Sequence, residues 1–191
     1  MRLQQLARTQ QAVALLRCGM RTTLVQRITG LRAALVRELH REIHADKPKS
    51  GQLPSTHAVL DSVLSQASAS LFIALYRALG GAETERQIQL EALLQAHRLY
   101  LEQQERVAAG GRLGPAIDIN AAWVLARDLT TGLALRRFCR QCRIHYLAAD
   151  FSRTALQCPI CRLKQRGGWR GRGGVRPAKD DEAVDAQPPA H

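Results

Sequence analysis

The sequence lacks a long uninterrupted apolar run. Its most apolar stretch, residues 58–79, contains Asp61, Gln66, several serines and Arg77. That stretch is too polar for a membrane span and predicts a buried helix. The first residues, MRLQQLARTQQAVALL, are interrupted by Gln and Arg and lack the continuous apolar segment of a signal peptide. We therefore expect a cytoplasmic protein that makes no use of a membrane.

The sequence also lacks any recognisable arrangement of catalytic residues. Serine, histidine and aspartate are present, but not in a nucleophile motif, and no glycine-rich phosphate loop follows a predicted strand. The protein is therefore not expected to be an enzyme.

Lysine is scarce, and arginine supplies nearly all of the 28 basic residues. The chain has 16 acidic residues, so its net charge is +12. Such an excess indicates an anionic partner, which is most often nucleic acid but can also be a membrane surface or an acidic protein. Because arginine suits bidentate contact with phosphate and guanine, the bias favours nucleic acid.

Strand patterns are almost absent before Phe138, whereas helical periodicity recurs through residues 1–137. We therefore expect a mainly α fold with a helical body over residues 1–137. A Thr23/Gln26 capping box, a break at Thr29-Gly30 and a periodic run over residues 31–43 predict a helix-turn-helix-like segment near residues 22–44. Long helices are expected over residues 56–79 and 84–107. Another is expected to begin near residues 118–120, capped by either of two polar side chains, and Cys18 is expected in the core.

Two Cys-x-x-Cys pairs occupy residues 139–142 and 158–161. Each two-residue gap lets one tight turn present both sulfur atoms to the same ion, so the pattern predicts one structural Zn2+ ion in a zinc-ribbon-like module over residues 138–163. Ile144, Tyr146, Leu147 and Phe151, between the pairs, are expected to form a short hairpin over the site. The predicted ligands are Cys139, Cys142, Cys158 and Cys161.

Two alternatives for the cysteines are a redox Cys-x-x-Cys and a disulfide pair. The first normally needs an α/β scaffold, and a reducing compartment disfavours the second. Four protein ligands leave no open coordination position, which argues against a catalytic metal. His145 is an alternative ligand, although a surface position is the simpler interpretation.

Two basic clusters are candidate DNA contacts. On a helical projection of residues 31–44, the leucines fall on one side, and the second helix of a helix-turn-helix places its polar side in the major groove. The alternative is an ordinary solvated helix face. The second cluster surrounds the first cysteine pair, and its alternative is solubilising charge. The candidate residues are Arg37, His40, Arg41 and His44 in the first cluster, and Arg136, Arg137, Arg140 and Arg143 in the second.

The segment after the second cysteine pair has six basic residues and five glycines between Arg162 and Arg176, and no acidic residue. The last residues then reverse sign. Such a composition cannot build a core, so residues 164–191 are expected to form a flexible basic and then acidic tail.

Three longer runs carry a family resemblance: KSGQLPS (residues 49–55), AHRLYLEQ (96–103) and AAWVLARDLTTGLALRRFCRQC (121–142), which is followed by CPIC. Together they resemble the FlhC family, whose members are subunits of the bacterial flagellar master transcriptional activator. The resemblance covers roughly residues 4–163 and leaves the arginine- and glycine-rich tail outside.

The resemblance implies a largely α-helical protein whose C-terminal zinc-binding region takes its ligands from the two Cys-x-x-Cys pairs. It implies a heterohexamer of four FlhD and two FlhC chains. That complex binds promoter DNA upstream of flagellar genes and recruits RNA polymerase. The competing interpretations are a zinc-ribbon RNA-binding protein that uses the tail on single strands, with Trp169 available for stacking, and an assembly scaffold whose charge serves solubility.

Overall fold

The computed structural model describes residues 2–48, 51–108, 114–149 and 157–165, and these are mainly helical. The mainly α fold is therefore confirmed, whereas the predicted flexible tail lies almost wholly outside the described residues. The elements in chain order are α1 (Arg2–Arg17), α2 (Thr22–Thr29), α3 (Ala33–Ile43), α4 (Thr56–Val59), α5 (Val63–Gly80), a 3-10 turn (Ala82–Glu85), α6 (Leu90–Ala108), α7 (Ile119–Thr130), β1 (Leu135–Cys139), β2 (Ile144–Ala148) and α8 (Pro159–Gln165).

Helices α1, α2 and α3 pack against one another as an N-terminal three-helix cluster. The predicted break between α2 and α3 is present, because Gly30 adopts a left-handed φ of 68° and its N–H donates to the Gln26 carbonyl at 2.8 Å. The predicted capping box is wrong. The box requires Thr23 as the N-cap, but helix α2 begins at Thr22, two residues earlier than the box requires, and its N-cap Arg21 makes no side-chain capping bond. The helix-turn-helix interpretation of this segment stays a prediction.

A polar clasp joins the N-terminal cluster to α7. The backbone N–H of Arg21 donates to Asn120 Oδ1 at 2.9 Å, and Asn120 Nδ2 donates to the Gly19 carbonyl at 3.2 Å. Asp118 instead caps α7 by accepting from the Ala121 N–H at 2.8 Å. The two candidate caps thus have different roles, and the clasp satisfies backbone groups of the turn between α1 and α2.

Cys18 is exposed, so its predicted place in the core is wrong. Helix α1 ends at Arg17, and the chain then turns at Gly19, which has a φ of 79°. The turn puts residue 18 outside, while the neighbouring Met20 is buried. Apolar periodicity therefore fails at this position because the helix has already ended.

The main core lies between α5, α6 and α7, and α7 is buried along nearly its whole length. Phe72 of α5 and Tyr100 of α6 meet edge-on, with ring centroids 6.1 Å apart. Buried Asp128 of α7 accepts from Thr56 Oγ1 at 2.6 Å and pairs with Arg127 at 2.7 Å. Helix α7 thus lies buried in the core of the body, and it leads directly into the cysteine-containing segment.

The single long helix expected over residues 56–79 is wrong, because two helices occupy that stretch. Ser55 caps α4 by accepting from the Ala58 N–H, and Ser62 caps α5 by accepting from the Ser65 N–H, both at 3.1 Å. Leu60, between them, is fully buried. Serine favours caps over helix interiors, so each of these residues starts a new helix.

Helix α5 is, within the described part of the chain, the one helix long and apolar enough to cross a membrane on length and composition alone. Its buried side, which includes Phe72, Ile73 and Tyr76, packs against α6 and β2. This packing accounts for its apolar composition as that of a core helix, as the sequence predicted.

Candidate metal centre

The first cysteine pair lies in the turn of an antiparallel hairpin formed by β1 and β2. Cys139 ends β1 opposite Ile144. The Arg143 N–H donates to the Cys139 carbonyl at 2.8 Å, which closes the turn, and the Cys142 N–H points at Cys139 Sγ at 3.4 Å. We call residues 139–143 the first knuckle. Its geometry directs both sulfur atoms to the same side of the turn.

The expected hairpin between the two cysteine pairs is wrong in its pairing. Ile144, Tyr146 and Leu147 do form a strand, but its partner is β1, which begins at Leu135 and precedes the first knuckle. Phe151, which was expected to join them, lies outside the described residues. The missed strand β1 contains two arginines in a row, which obscure the alternation that marks a half-buried strand.

The second cysteine pair lies at the start of α8, and we call residues 158–162 the second knuckle. Pro159 occupies the first helical position, where its fixed φ suits the helix and its missing N–H costs nothing. The Arg162 N–H donates to the Cys158 carbonyl at 3.1 Å. Cys158 and Cys161 are buried, whereas Cys139 and Cys142 are half-buried.

The four sulfur atoms of the two knuckles all lie within 4.8 Å of one another. The Sγ–Sγ separations are 3.0 Å for Cys142–Cys161, 3.6 Å for Cys139–Cys161 and 4.0 Å for Cys142–Cys158. A tetrahedral ion with bonds of about 2.3 Å to sulfur sets its ligand atoms about 3.8 Å apart. All four cysteines are free thiols, so the arrangement fits a four-thiolate site better than a disulfide.

The thiols differ strongly in acidity. The hydrogen bond from the Cys142 backbone lowers the pKa of Cys139 to about 7. The hydrogen bond with the Cys142 side chain, burial and the other sulfur atoms raise the pKa of Cys161 to about 12. Crowded thiols therefore resist carrying four negative charges together. A divalent cation at the centre would neutralise the thiolates and release their protons, so the donor set fits a tightly held metal.

A metal held by all four cysteines would be closed to other ligands, because four sulfur atoms fill a tetrahedron and leave no position for water or substrate. His145, the alternative ligand, is exposed and lies on β2 opposite Phe138, with ring centroids 5.1 Å apart. The cysteine cluster is complete without it. A bound metal here would supply cross-linking of the two knuckles.

The hairpin is anchored to the helical body through the buried Leu147. Its N–H donates to Ser70 Oγ at 2.9 Å, and its carbonyl accepts from Gln66 Nε2 at 2.9 Å. Both partners belong to α5, and the Leu147 side chain enters the main core. The hairpin that carries the first knuckle is thus fixed to α5 of the helical body. The domain boundary predicted at residue 137 stays a prediction.

A second anchor is an ion-pair cluster around Glu85. The carboxylate lies 3.2 Å from Arg136 of β1 and 3.4 Å from Arg77 of α5. Burial and the neighbouring Arg77 lower the pKa of the Arg136 guanidinium, and Glu85 opposes that shift. Arg136, a predicted DNA contact, therefore lies in an ion-pair cluster with the body. No signal in the sequence pointed to Glu85, which lies far from the hairpin along the chain.

The other arginines of the second cluster occupy different environments. Arg140 and Arg143 are exposed on the first knuckle. Arg137 is half-buried on β1, opposite Tyr146 in the register. The structure thus brings two of the four candidates together on the outside of the turn. Arg143 has a φ of 58°, the only left-handed non-glycine backbone in the described part of the chain.

The candidates on α3 also divide into two kinds. Arg37 and Arg41 are exposed. His40 and His44 are half-buried with ring centroids 4.9 Å apart, and His44 Nε2 lies 2.7 Å from the Leu16 carbonyl at the end of α1. The histidine His44 thus has a structural contact, whereas the two arginines extend from the surface of the three-helix cluster.

Together, the helical fold, the closed cysteine cluster and the exposed arginines define a class of protein. It is a small helical protein with a cluster of four cysteines that could hold a metal ion and with exposed basic side chains, and no catalytic constellation is recognised among its described residues. The family model described as "Flagellar transcriptional activator (FlhC)" matches residues 2–172. The chain therefore belongs to the FlhC family, a family of transcriptional regulators and not a class of enzymes.

Several proteins called flagellar transcriptional regulator FlhC are similar to this chain. The one from Verminephrobacter eiseniae is 26% identical over 160 residues, which is 83% of each chain. The one from Enterobacter cloacae is 26% identical over 160 residues, which is 83% of this chain and 81% of the relative. The one from Paraburkholderia atlantica is 27% identical over 158 residues, which is 82% of this chain and 70% of the relative.

Proposed function

We propose that this protein is the DNA-binding subunit of a cytoplasmic transcriptional activator that switches on flagellar genes. It assembles with FlhD as a heterohexamer of four FlhD chains and two copies of this chain. The complex binds promoter DNA and recruits RNA polymerase. One structural zinc ion, held by the two knuckles, keeps the first knuckle in the shape that meets DNA. The family membership and the closed cysteine cluster support this proposal.

The backbone of Arg143 is the observation that carries the DNA-binding role. A left-handed conformation costs a residue with a Cβ roughly 1–2 kcal/mol, and glycine avoids that cost. An exposed arginine nevertheless occupies this position in the first knuckle. The guanidinium gains no described ion pair that offsets the strain. Contact with a DNA phosphate accounts for an arginine at this costly position, with Arg140 beside it.

Replacing Arg143 with glycine tests this role, because stability and binding should move in opposite directions. The Arg143→Gly change should stabilise the hairpin by about 1 kcal/mol, since it relieves the left-handed strain. It should also weaken promoter binding. The salt slope, which is the steepness with which log affinity falls as log salt concentration rises, should decrease by roughly 0.9, the contribution of one phosphate contact. Chemical denaturation and mobility shifts of the complex with FlhD measure the two effects.

Arg143→Lys is the matched control, because it keeps both the charge and the strain. It should leave the salt slope near the wild-type value. If Arg143→Gly binds promoter DNA as the wild type does over a range of salt concentrations, the first knuckle is not the DNA contact.

The exposed arginines of α3 are a second proposed contact with the same DNA. Arg37 and Arg41 lie one turn apart on the outer side of the helix. Along residues 31–48 the acidic residues are Glu38, Glu42 and Asp46. Replacing both arginines with alanine should weaken promoter binding and leave assembly with FlhD intact. The Arg98→Ala/Arg106→Ala double variant of α6 removes the same charge elsewhere and should bind nearly as the wild type.

A further inference from the structure

Phe138 is an exposed aromatic residue next to the first knuckle. It precedes Cys139 on β1, and its side chain is 54% exposed. Side chains alternate along a strand, so Phe138 lies on the opposite face from Arg137 and Cys139. The ring therefore packs neither with the cysteine cluster nor with the main core.

The surroundings of Phe138 combine apolar side chains with charge: Glu85 and its partner Arg136 line the same surface groove as the ring, and exposed arginines follow in the turn. One side of the ring meets His145, at 5.1 Å between centroids and with 55° between the planes. Two leucines of the same short segment are also exposed: Leu133 has an exposed fraction of 63% and Leu135 of 38%. The turn that follows carries the exposed Arg140 and Arg143. A large aromatic side chain is thus presented at the edge of a basic turn.

This combination favours a nucleic acid over a protein partner. A purely apolar partner surface would leave the arginines desolvated and unpaired, which is costly. A DNA duplex offers both chemistries at once, because its phosphates pair with arginines and its base steps accept an apolar wedge such as phenylalanine. A phenylalanine side chain has only two torsions, so ordering the ring on binding costs little conformational entropy.

We propose that Phe138 contacts the bases of the duplex that the first knuckle binds, inserting its ring against a base step while Arg140 and Arg143 hold the flanking phosphates. His145 supports the ring from behind. This inference rests on the proposed DNA-binding function and adds a base-contacting residue to it. It concerns the described hairpin alone and does not involve the arginine- and glycine-rich tail.

Phe138→Ala in the complex with FlhD is the central test. Because the side chain is largely exposed, the variant should keep its metal and its fold. Promoter affinity should fall roughly tenfold, in the range of one stacked base. The salt slope should stay unchanged, because an apolar contact releases no counterions. The Arg140→Ala/Arg143→Ala double variant should instead reduce the slope by about 0.9 for each phosphate that is no longer neutralised.

Leu6→Ala is the matched control, since Leu6 is also 54% exposed and lies on α1. It should bind as the wild type does. Phe138→Trp keeps a flat ring and should retain most of the affinity. A fluorescent adenine analogue placed at successive promoter positions should brighten on binding at the unstacked step, and Phe138→Ala should abolish that signal.

The outcomes separate the inference from the function on which it rests. If Phe138→Ala matches Leu6→Ala in affinity while the double arginine variant binds weakly, Phe138 does not contact bases and the DNA-binding proposal stands. If Phe138→Ala keeps its metal but no longer assembles with FlhD, the ring is a protein contact and the inference is wrong. If the wild-type complex binds no duplex, the proposed function itself fails.

Discussion

The two basic surfaces of this protein are held in shape by different forces. The α3 surface belongs to a three-helix cluster whose packing includes the buried Val36, Leu24 and Leu16. The first knuckle is a five-residue turn that packs against few apolar side chains, and its cysteines are half-buried. Hydrophobic burial scales with area, so it suffices for the first surface and is too small for the second. The comparison supports the proposal that a metal holds the first knuckle, whereas apolar packing holds the α3 surface.

The largest effect should come from removing metal ligands. Cys139→Ser combined with Cys158→Ser removes one ligand from each knuckle, so the ion should be lost and the module over residues 138–163 should unfold. The α1–α3 cluster should keep its helices, because apolar packing holds it. Metal analysis and amide hydrogen exchange measure both regions in one protein.

Cys18→Ser is the control for that experiment, since Cys18 is exposed and far from the cluster in sequence. It should retain metal and native exchange rates. Equal loss of protection in both regions of the double variant would show that the two surfaces do not depend on different forces.

The next largest effect should come from Leu147→Ala, which cuts the apolar anchor between hairpin and body. Leu147 is fully buried, and such a truncation costs about 2–5 kcal/mol. The four sulfur atoms are not altered, so metal should still bind, but the free energy of unfolding should fall. Retained stability in chemical denaturation would mean that the hairpin holds its place without the core.

A smaller effect is expected for Asn120→Ala, which removes the clasp on the N-terminal cluster. The change leaves the Arg21 N–H and the Gly19 carbonyl without their partner, at a cost of about 1–3 kcal/mol. Exchange protection should decrease at residues 19–25 and stay constant in the hairpin. Asp118→Asn, which preserves the cap, serves as the control. Loss of exchange protection in the hairpin alone would contradict the proposed role of Asn120 as a clasp.

The smallest effect should come from Glu85→Gln. Both ion pairs of Glu85 are partly exposed, with 42% of its own side chain accessible. Such pairs contribute about 0–1 kcal/mol each, so the free energy of unfolding should change little.

Arg136 is expected to act as an anchor, so Arg136→Ala should leave the salt slope of promoter binding unchanged. A reduced slope would instead make Arg136 a phosphate contact.

Local chemistry explains which features the sequence could predict. The two Cys-x-x-Cys pairs specify a cluster because their spacing restricts the turn, and Gly30 marks the end of α2 because it takes a left-handed conformation without penalty. These signals act within a few residues of the position they determine.

Features that depend on distant residues could not be predicted in this way. Asn120 resembles a helix cap, but its partners lie about a hundred residues earlier, so the clasp has no local signature. Glu85 meets Arg136 only after the hairpin folds back on α5. The break between α4 and α5 depends on the burial of Leu60 as well as on Ser62, and apolar periodicity alone hides it.

The most direct test of the central claim measures promoter binding by the complex with FlhD before chelation, after chelation and after zinc is returned. The proposed function requires the metal to hold the first knuckle against DNA and to do no chemistry. We predict that promoter affinity falls when metal analysis shows the ion is gone, that the α1–α3 helices persist, and that zinc restores binding. Undiminished binding by the fully metal-free complex would contradict the account.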